Sequence, residues 1–469
     1  MKNLGIKYFD ISAWAIIFCL SIVLYINFYH SNWNNTEKVI GHDARSYYAY
    51  LPATIIYNDL SLEFLKSPGN QLGKGFWGKK SPIGKTVIIT SYGMSLLYSP
   101  FFLIAHSSAK LMGYPADGYS VPYCFALVMS SIFYLFIGVI FLRKFLLKYF
   151  SKLVVAITIS IIILTTNMLW YVTFEATMTH VYSFGLISIF IYLIDKWIEH
   201  PSIKHTLLIG FLIGIITLIR PTNVVIVLLL VFWKVTSWKE FVNRLLLIIK
   251  DWYHILIMII VFIIIWIPQF LYWKYISGSY IYYSYPDSMG FFFDNPQLFN
   301  SLFSWRKGFL IYTPVMIFSF IGIGILYKKN KQFFLPIVIY WLASWYIISS
   351  WWDWWYGGGF GIRPYIDSYG ILAIGLAAFL TWVFSTRRLP KTIIITIFII
   401  TIALSVWHFK RYQHGSIHWA GMTKQAYFNS FWRATPAANF YEKVRMPDIK
   451  LARKGIYKYE DEQKESPIQ

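Results

Sequence analysis

An acidic residue, Asp43, lies directly after the first apolar run of membrane length, in the segment GHDARSYYAYLPA (41–53). The chain has only 21 Asp and Glu residues among 469, so an acid at the exit of a predicted membrane helix is a candidate for chemistry at the membrane surface. A general base must reach the proton it takes and stay ionised, which the neighbouring cation Arg45 favours. We therefore predict that Asp43 is a catalytic base, with a helix N-cap or a solvated loop acid as the alternative.

The residues after this acid predict a short helix over 44–57 that is rich in tyrosine. Aromatic side chains with a polar tip are typical of a membrane interface, where one end of the ring is wet and the other is apolar. We expect Tyr47 and Arg45 to contact a substrate there.

A second candidate is Arg363, which ends the segment WWDWWYGGGFGIRP (351–364). The planar guanidinium binds two phosphate oxygens at once, and the four preceding glycines allow backbone amides to approach the same oxygens. This pattern predicts a phosphate site at the mouth of the next helix. The alternative is an arginine that extends to lipid headgroups beside a belt of tryptophans.

Four further residues are candidates for substrate or phosphate binding. Arg220 lies in LIRPTN, where Pro221 interrupts helical hydrogen bonding, and a cation within a membrane usually has a partner or a substrate. The short segment TFEATMTH (173–180) contains Glu175 and His180, although a single histidine at a helix start is more often structural. Lys85 precedes an apolar helix and suits either a phosphate or a lipid headgroup.

Composition requires lipid as the solvent for this chain. The sequence is 57% hydrophobic and 13% charged, and apolar stretches of about 20 residues, the length that crosses a bilayer, recur along it. We therefore predict an all-α polytopic membrane protein. The net charge of +21 is carried by short basic turns between apolar runs, which indicates membrane orientation and not nucleic-acid binding.

Known cofactor and metal motifs are missing from the sequence. Its two cysteines, Cys19 and Cys124, both lie in apolar runs, so no disulfide framework or cysteine-based metal site is expected. No Walker loop, HExxH, GxSxG or CxxC occurs in a suitable context. We expect no cofactor and no metal.

About eleven crossings are predicted, near 11–30, 121–142, 152–170, 180–197, 206–219, 222–236, 254–273, 309–327, 332–350, 364–384 and 391–407. The first is expected to be a retained signal anchor. With the N-terminus (Lys2, Lys7) in the cytoplasm, every basic turn falls on the cytoplasmic side; these turns hold Arg143, Lys144, Lys148, Lys152, Lys196, Lys204, Lys234, Lys239, Arg244, Lys250, Lys328, Lys329, Lys331, Arg387, Arg388 and Lys391.

This orientation requires that the apolar segment 87–112 does not cross, so we predict an interfacial or re-entrant helix there. A crossing with the opposite overall orientation is the alternative. The predicted organisation is a transmembrane domain over 1–407, with a first outer loop at 31–120 that holds juxtamembrane helices, and a short outer-face tail over 408–469.

An acid after the first helix, an interfacial helix before the second, a short acidic second outer loop and a late W-G-G-x-F-G-x-R-P element together resemble the GT-C membrane glycosyltransferases. The pattern is most similar to the protein O-mannosyltransferases and to the aminoarabinose transferases of lipid A, and it covers residues 10–385. The resemblance implies a polyprenyl-phosphate sugar donor, with Asp43 in place of the first-loop base and Glu175 at the acidic position of the second loop. The motif of the first outer loop has the single acid Asp43, where the mannosyltransferases have a pair of acids. The second outer loop has Glu175 with no adjacent acid.

The expected function is an inverting transfer of a hexose or pentose from polyprenyl phosphate to a lipid, glycan or protein acceptor. Under this resemblance the protein lies in the cytoplasmic (inner) membrane, with the active site facing the periplasm or outside. A flippase or transporter of lipid-linked saccharides, or a polymerase or ligase of them, remains an alternative. A transporter is expected to carry ionisable residues within its helices and internal repeats, whereas the ionisable residues here concentrate at one face.

Overall fold

The computed structural model describes residues 10–66, 75–386 and 388–457. The expected basic residues Lys2, Lys7 and Arg387 lie outside this part of the chain. The described residues are mainly helical, and a two-residue pair of antiparallel strands, β1 (Lys79–Lys80) and β2 (Thr86–Val87), forms a hairpin in the first loop.

The α-helices, in chain order, are α1 (Ile11–His30), α2 (Thr36–Val39), α3 (Asp43–Ile55), α4 (Gly93–Ala109), α5 (Val121–Leu146), α6 (Lys152–Leu164), α7 (Met168–Thr173), α8 (Thr179–Glu199), α9 (Ile203–Ile219), α10 (Ile226–Phe232), α11 (Trp238–Lys250), α12 (Trp252–Ser277), α13 (Leu298–Phe303), α14 (Phe309–Tyr312), α15 (Ile317–Lys329), α16 (Lys331–Ser350), α17 (Tyr369–Ser385), α18 (Arg388–Gln413), α19 (Lys424–Asn429), α20 (Phe440–Lys443) and α21 (Ile449–Ala452). Short 3₁₀ turns lie at Asn32–Asn34, Glu63–Lys66, Lys110–Met112, Pro221–Val225, Pro314–Met316 and Arg363–Ser368.

Seven helical segments of the described chain are long and apolar enough to cross a membrane, so the predicted all-α polytopic fold is confirmed. They are Ile11–Asn34, Val121–Leu146, Thr179–Glu199, Trp252–Ser277, Lys331–Ser350, Arg363–Ser385 and Lys391–Gln413. The other four predicted crossings are shorter helices: Lys152–Leu164, Ile203–Ile219, Pro221–Phe232 and Ile317–Lys329. A total of eleven crossings therefore stays a prediction.

Helix α8 lies at the centre of the bundle and is buried along most of its length. It packs directly on α5, because a Cβ atom added to Gly138 would lie 2.5 Å from the Cα atom of Gly185. Small residues allow this backbone approach, and dispersion between closely packed helices is the main attraction available in lipid. The packing fixes α8, whose first turn contributes to the site described below.

Three of the predicted basic turns meet at one end of the bundle. Arg143 donates to the α1 N-cap residue Asp10 at 2.8 Å, while Lys148 and Lys234 both pair with Glu199, at 3.0 and 2.7 Å. These contacts join the turns after α5, α8 and α10. The contacts agree with the prediction that these basic turns lie on one side of the membrane. That this side is the cytoplasmic one stays a prediction.

The first loop contains the predicted non-crossing segment as helix α4. Its 17 residues pack mainly on α3, α5 and α9. The Ser95 hydroxyl donates to the Tyr47 carbonyl at 2.5 Å, and the Tyr98 hydroxyl donates to the Thr177 carbonyl. Helix α4 therefore fixes the first loop against the second, next to the acid that begins α3.

The C-terminal tail folds onto the membrane core in its described part. Arg306 donates to the carbonyl oxygens of Ala420 at 2.9 Å and Arg445 at 3.1 Å. A small apolar cluster joins the tail to the loops around α14, with the buried residues Tyr312, Phe360, Ile417, Met422, Ala426, Tyr427, Phe440 and Val444. The tail thus covers the loops that carry Arg306 and the glycine segment.

Candidate functional site

The site is centred on an ion pair between the first loop and the late glycine segment. Arg363 Nη2 donates to Asp43 Oδ2 at 2.6 Å. The two side chains are 14% and 26% exposed, so the pair is partly shielded from solvent. A charge-assisted hydrogen bond of this length fixes the direction of the carboxylate.

Asp43 is presented by an unusual backbone conformation. The preceding residue, His42, has a φ of 47°, in the left-handed region that costs a non-glycine residue about 1–3 kcal/mol. The Gly41 carbonyl accepts from the Ala44 amide at 3.0 Å, which starts helix α3 at the acid. Such strain tends to occur at functional sites, and here it orients Asp43 toward Arg363.

Arg363 is presented by the glycine turn. Gly357, Gly359 and Gly361 have φ values of 61°, 129° and 64°, which glycine adopts without steric cost. At Gly359 a Cβ atom would also collide with the Tyr171 hydroxyl. The neighbouring tryptophans Trp352, Trp354 and Trp355 are buried, at 6%, 4% and 3% exposure, so they do not form the exposed belt considered as the alternative.

Glu175 lies beside this pair and accepts a hydrogen bond from Trp170 Nε1 at 2.9 Å. Burial raises the pKa of the carboxyl, an effect that Arg363 and Lys307 oppose and Asp43 reinforces. These groups therefore lie within electrostatic range of one another. A Cβ atom at Gly359 would lie 3.7 Å from Glu175 Oε2, so the acid lies against the glycine turn that leads to Arg363.

Two ionisable groups of the site were missing from the sequence prediction. The Lys307 ammonium donates to the Gly359 carbonyl, and burial lowers its pKa to about 7. Burial raises the pKa of Asp353 to about 6, and its buried Oδ1 atom has no hydrogen-bond partner among the described residues. A buried acceptor without a partner is costly, so Asp353 is a further candidate for contact with a ligand.

Arg220 and His180 meet at an acid that the sequence prediction also missed. Asp367 accepts from Arg220 Nη1 at 2.9 Å, from Asn223 Nδ2 at 2.9 Å and lies 3.1 Å from His180 Nδ1. Pro221 ends α9 so that Arg220 leaves the helix toward this acid. The network holds Arg220 and gives His180 a contact with Asp367, which favours the structural alternative weighed for this histidine.

The remaining predicted residues have different outcomes. Tyr47 is within electrostatic range of Asp43, Arg363 and Arg220, and burial raises its pKa to about 12; its predicted contact with a substrate stays a prediction. Arg45 does not serve Asp43 as expected: it points away, forms an ion pair with Glu37 and donates to the Ile40 carbonyl at 3.2 Å. The cation at Asp43 is Arg363, because the strained turn at His42 directs the acid across the loop.

Lys85 is engaged outside this set of residues. Its ammonium donates to the Tyr275 carbonyl at 3.2 Å and lies 3.5 Å from the centre of the Tyr275 ring. This contact at the end of α12 suits the headgroup role that was the alternative for Lys85. Lys307, by contrast, contacts the glycine turn at Gly359 and is within electrostatic range of Glu175 and Arg363.

No family model and no curated protein sequence match the chain. Among solved structures it is similar to ArnT from Cupriavidus metallidurans in the apo state, with a TM-score of 0.47, 13% identity and coverage of 89% of this chain and 67% of that one. It is also similar to the Archaeoglobus fulgidus oligosaccharyltransferase in the apo form, with a TM-score of 0.48 and 11% identity, covering 100% of this chain and 62% of that one. The chain thus spans about two thirds of the length of each.

Proposed function

We propose that the chain is a membrane glycosyltransferase that moves a hexose or pentose from a polyprenyl-phosphate donor to a lipid, glycan or protein acceptor. The observation that carries the proposal is the 2.6 Å pair between Asp43 Oδ2 and Arg363 Nη2. It sets a carboxylate suited to accept a proton directly beside a guanidinium suited to bind phosphate.

In the proposed reaction Asp43 takes the proton of an acceptor hydroxyl. The acceptor oxygen forms a bond to the anomeric carbon, and the bond from that carbon to the phosphate oxygen breaks, so polyprenyl phosphate leaves with the electron pair. Attack opposite the leaving group inverts the anomeric centre. General base catalysis of this kind contributes about 10²–10⁴-fold to a rate.

Arg363 would stabilise the charge that grows on the phosphate. The guanidinium has five N–H donors. Among the described residues, Nη2 donates to Asp43 and Nη1 to the weak acceptor Met178 Sδ at 3.4 Å. The donors that remain can bind phosphate oxygens without releasing the base. Donors fixed in advance are more effective than solvent, because they need no reorganisation as the charge develops.

Lys307 and Arg220 are proposed as the other cations of the donor site, in place of Lys85. Lys307 lies under the glycine turn and acts electrostatically on Glu175, while Arg220 is fixed by Asp367. Glu175, Asp353 and Tyr47 would orient the sugar or the acceptor through their oxygen atoms. The proposal needs no metal, and the described residues hold no group of three His, Cys, Asp or Glu side chains arranged to bind one.

The proposed location is the cytoplasmic (inner) membrane, with the site on the periplasmic or outer face, opposite the basic turns. The test is to reconstitute the chain in vesicles and supply a set of radiolabelled polyprenyl-phosphate sugars. Cleavage of one donor, with label transferred to an added lipid, glycan or protein, supports the proposal. Movement of intact donor between leaflets without cleavage of any donor would overturn it in favour of a transporter.

A further inference from the structure

Helix α11 (Trp238–Lys250) has no buried residue, although its composition is largely apolar. Three of its large apolar side chains are among the most exposed of the chain: Trp238 at 77%, Ile249 at 68% and Leu246 at 58%. An exposed apolar patch of this kind is a site of interaction with lipid or with another protein.

The apolar side chains of α11 form one strip along the helix. At 100° per residue, Trp238, Val242, Leu245, Leu246 and Ile249 fall within about 100° of arc. The adjacent edge of the strip carries Lys239 and Lys250, both exposed. A lysine at this border can keep its ammonium in water while its stem lies along apolar surface.

The other edge of α11 is docked on the protein. Phe241 stacks on Phe232 of α10, with ring centres 5.2 Å apart, and Arg244 Nη2 donates to the Trp233 carbonyl at 3.1 Å. These contacts fix the rotation of the helix about its axis. The exposed strip is therefore held in one direction, away from the side that touches α10.

The position of α11 in the chain places it at a membrane surface. Helix α12, a candidate membrane span, begins at Trp252, two residues after α11 ends. The preceding turn carries Lys234, which pairs with Glu199 at the end of the bundle where the basic turns meet. The helix thus lies where a bilayer surface would meet the strip and the two lysines.

We propose that α11 lies in the plane of the membrane interface, with its strip inserted among acyl chains and Lys239 and Lys250 bound to anionic lipid headgroups. An amphipathic helix binds such a surface through apolar burial together with the electrostatic attraction of its lysines to anionic headgroups. A second copy of the chain suits the strip less well, because a contact about a two-fold axis along the membrane normal would bring the lysine edges of both copies to the same side.

The test uses the full chain reconstituted in vesicles, with an environment-sensitive fluorophore on Leu246→Cys or on Leu247→Cys. Leu247 is the matched control, because it is 52% exposed but lies on the opposite side of the helix. Cys19 and Cys124 are buried, and the unsubstituted chain gives the background labelling. Lipids with brominated acyl chains quench a probe only when it reaches the hydrocarbon.

We expect blue-shifted emission and quenching at position 246 and much weaker quenching at 247. Quenching at 246 should increase when phosphatidylglycerol is added to phosphatidylcholine vesicles, and K239Q/K250Q should remove that increase. The control K450Q/K454Q neutralises two exposed lysines of the tail and should leave the increase in quenching unchanged. Equal quenching at both positions would overturn the proposal. An unquenched probe at position 246, in a chain that elutes as a dimer, would also overturn it and would assign the strip to a second copy.

Discussion

Asp43 and Arg363 are separated by 320 positions in the sequence, yet their side chains form a 2.6 Å hydrogen bond. The contact joins the start of α3 to the end of the glycine turn, so the two loops form one site. Each residue fixes the other: the acid directs the guanidinium, and the guanidinium directs the acid.

Replacing Arg363 with glutamine should reduce transfer from the donor by about 10²–10³-fold, the usual cost of losing a donor to a transition-state anion. Arg363→Lys should restore part of the rate, since an ammonium is a point charge and cannot hold Asp43 and a phosphate in a planar fork. Steady-state kcat and KM in vesicles measure both effects. Arg433→Gln, at an exposed position of the tail, is the control, and a glutamine variant at 363 with the unaltered rate would contradict the role.

The rate of transfer should depend on pH through Lys307 and Asp353. The pKa of Lys307 is lowered to about 7, so its cation, and the rate that needs it, should be lost as pH rises through 7. The pKa of Asp353 is raised to about 6, so its anion should be lost as pH falls through 6. Because interacting groups titrate together, the two limbs report the site as a whole.

A pH series from 5 to 9 tests this directly. Lys307→Arg should move the alkaline limb upward, since arginine stays protonated, and Asp353→Asn should remove the acid limb. Limbs that stay in place in both variants would assign the pH dependence to other groups.

Asp367→Ala should destabilise the fold, because it leaves Arg220 without its partner at 15% exposure. Breaking a buried ion pair costs about 3 kcal/mol or more, which should appear as a lower thermal unfolding temperature in detergent. Asp287→Ala is the matched control: this acid also pairs with a cation, Lys79 at 3.3 Å, but is 97% exposed, and such pairs contribute little. Equal losses in the two variants would argue against a structural role for the Asp367 network.

Arg306→Ala should release the tail from the site. The side chain donates to two tail carbonyls, of Ala420 and Arg445, and loss of both should increase hydrogen exchange over 417–445 more than elsewhere. Since the tail covers the loop that carries Lys307, transfer should fall as well. Exchange that matches the unsubstituted chain across 417–445 would show that the tail is held by its apolar cluster alone.

The sequence predicted much of this arrangement because membrane helices leave strong signals. The length of the apolar runs predicted the helical fold. The basic turns, taken as cytoplasmic, predicted that Asp43, Glu175 and Arg363 lie together on the opposite side. The glycine run before Arg363 predicted a turn that allows backbone amides and the guanidinium to approach a phosphate. These are local patterns, and the structure agrees with the helical fold and brings the three side chains together.

The partners of charged residues could not be predicted, since packing between distant segments determines them. Arg45 was expected to serve Asp43 as its sequence neighbour, but the turn at His42 separates them and Glu37 takes the arginine. Lys307 follows Arg306 in a segment that resembles an ordinary basic turn, and Asp367 lies inside an apolar run. An acid within such a run is rare, and that rarity was the one signal that could have identified Asp367.

The central claim is that Asp43 is the base of a glycosyl transfer. The most direct measurement is the transfer rate of the Asp43→Asn variant in vesicles, with the labelled polyprenyl-phosphate sugar that the unsubstituted chain cleaves. Asp294→Asn, an exposed acid, is the control, and a thermal unfolding curve establishes that the variant folds. The account predicts a folded Asp43→Asn variant whose transfer falls by about 10²-fold or more, beside a fully active control. A folded Asp43→Asn variant that transfers sugar at close to the unsubstituted rate would contradict it.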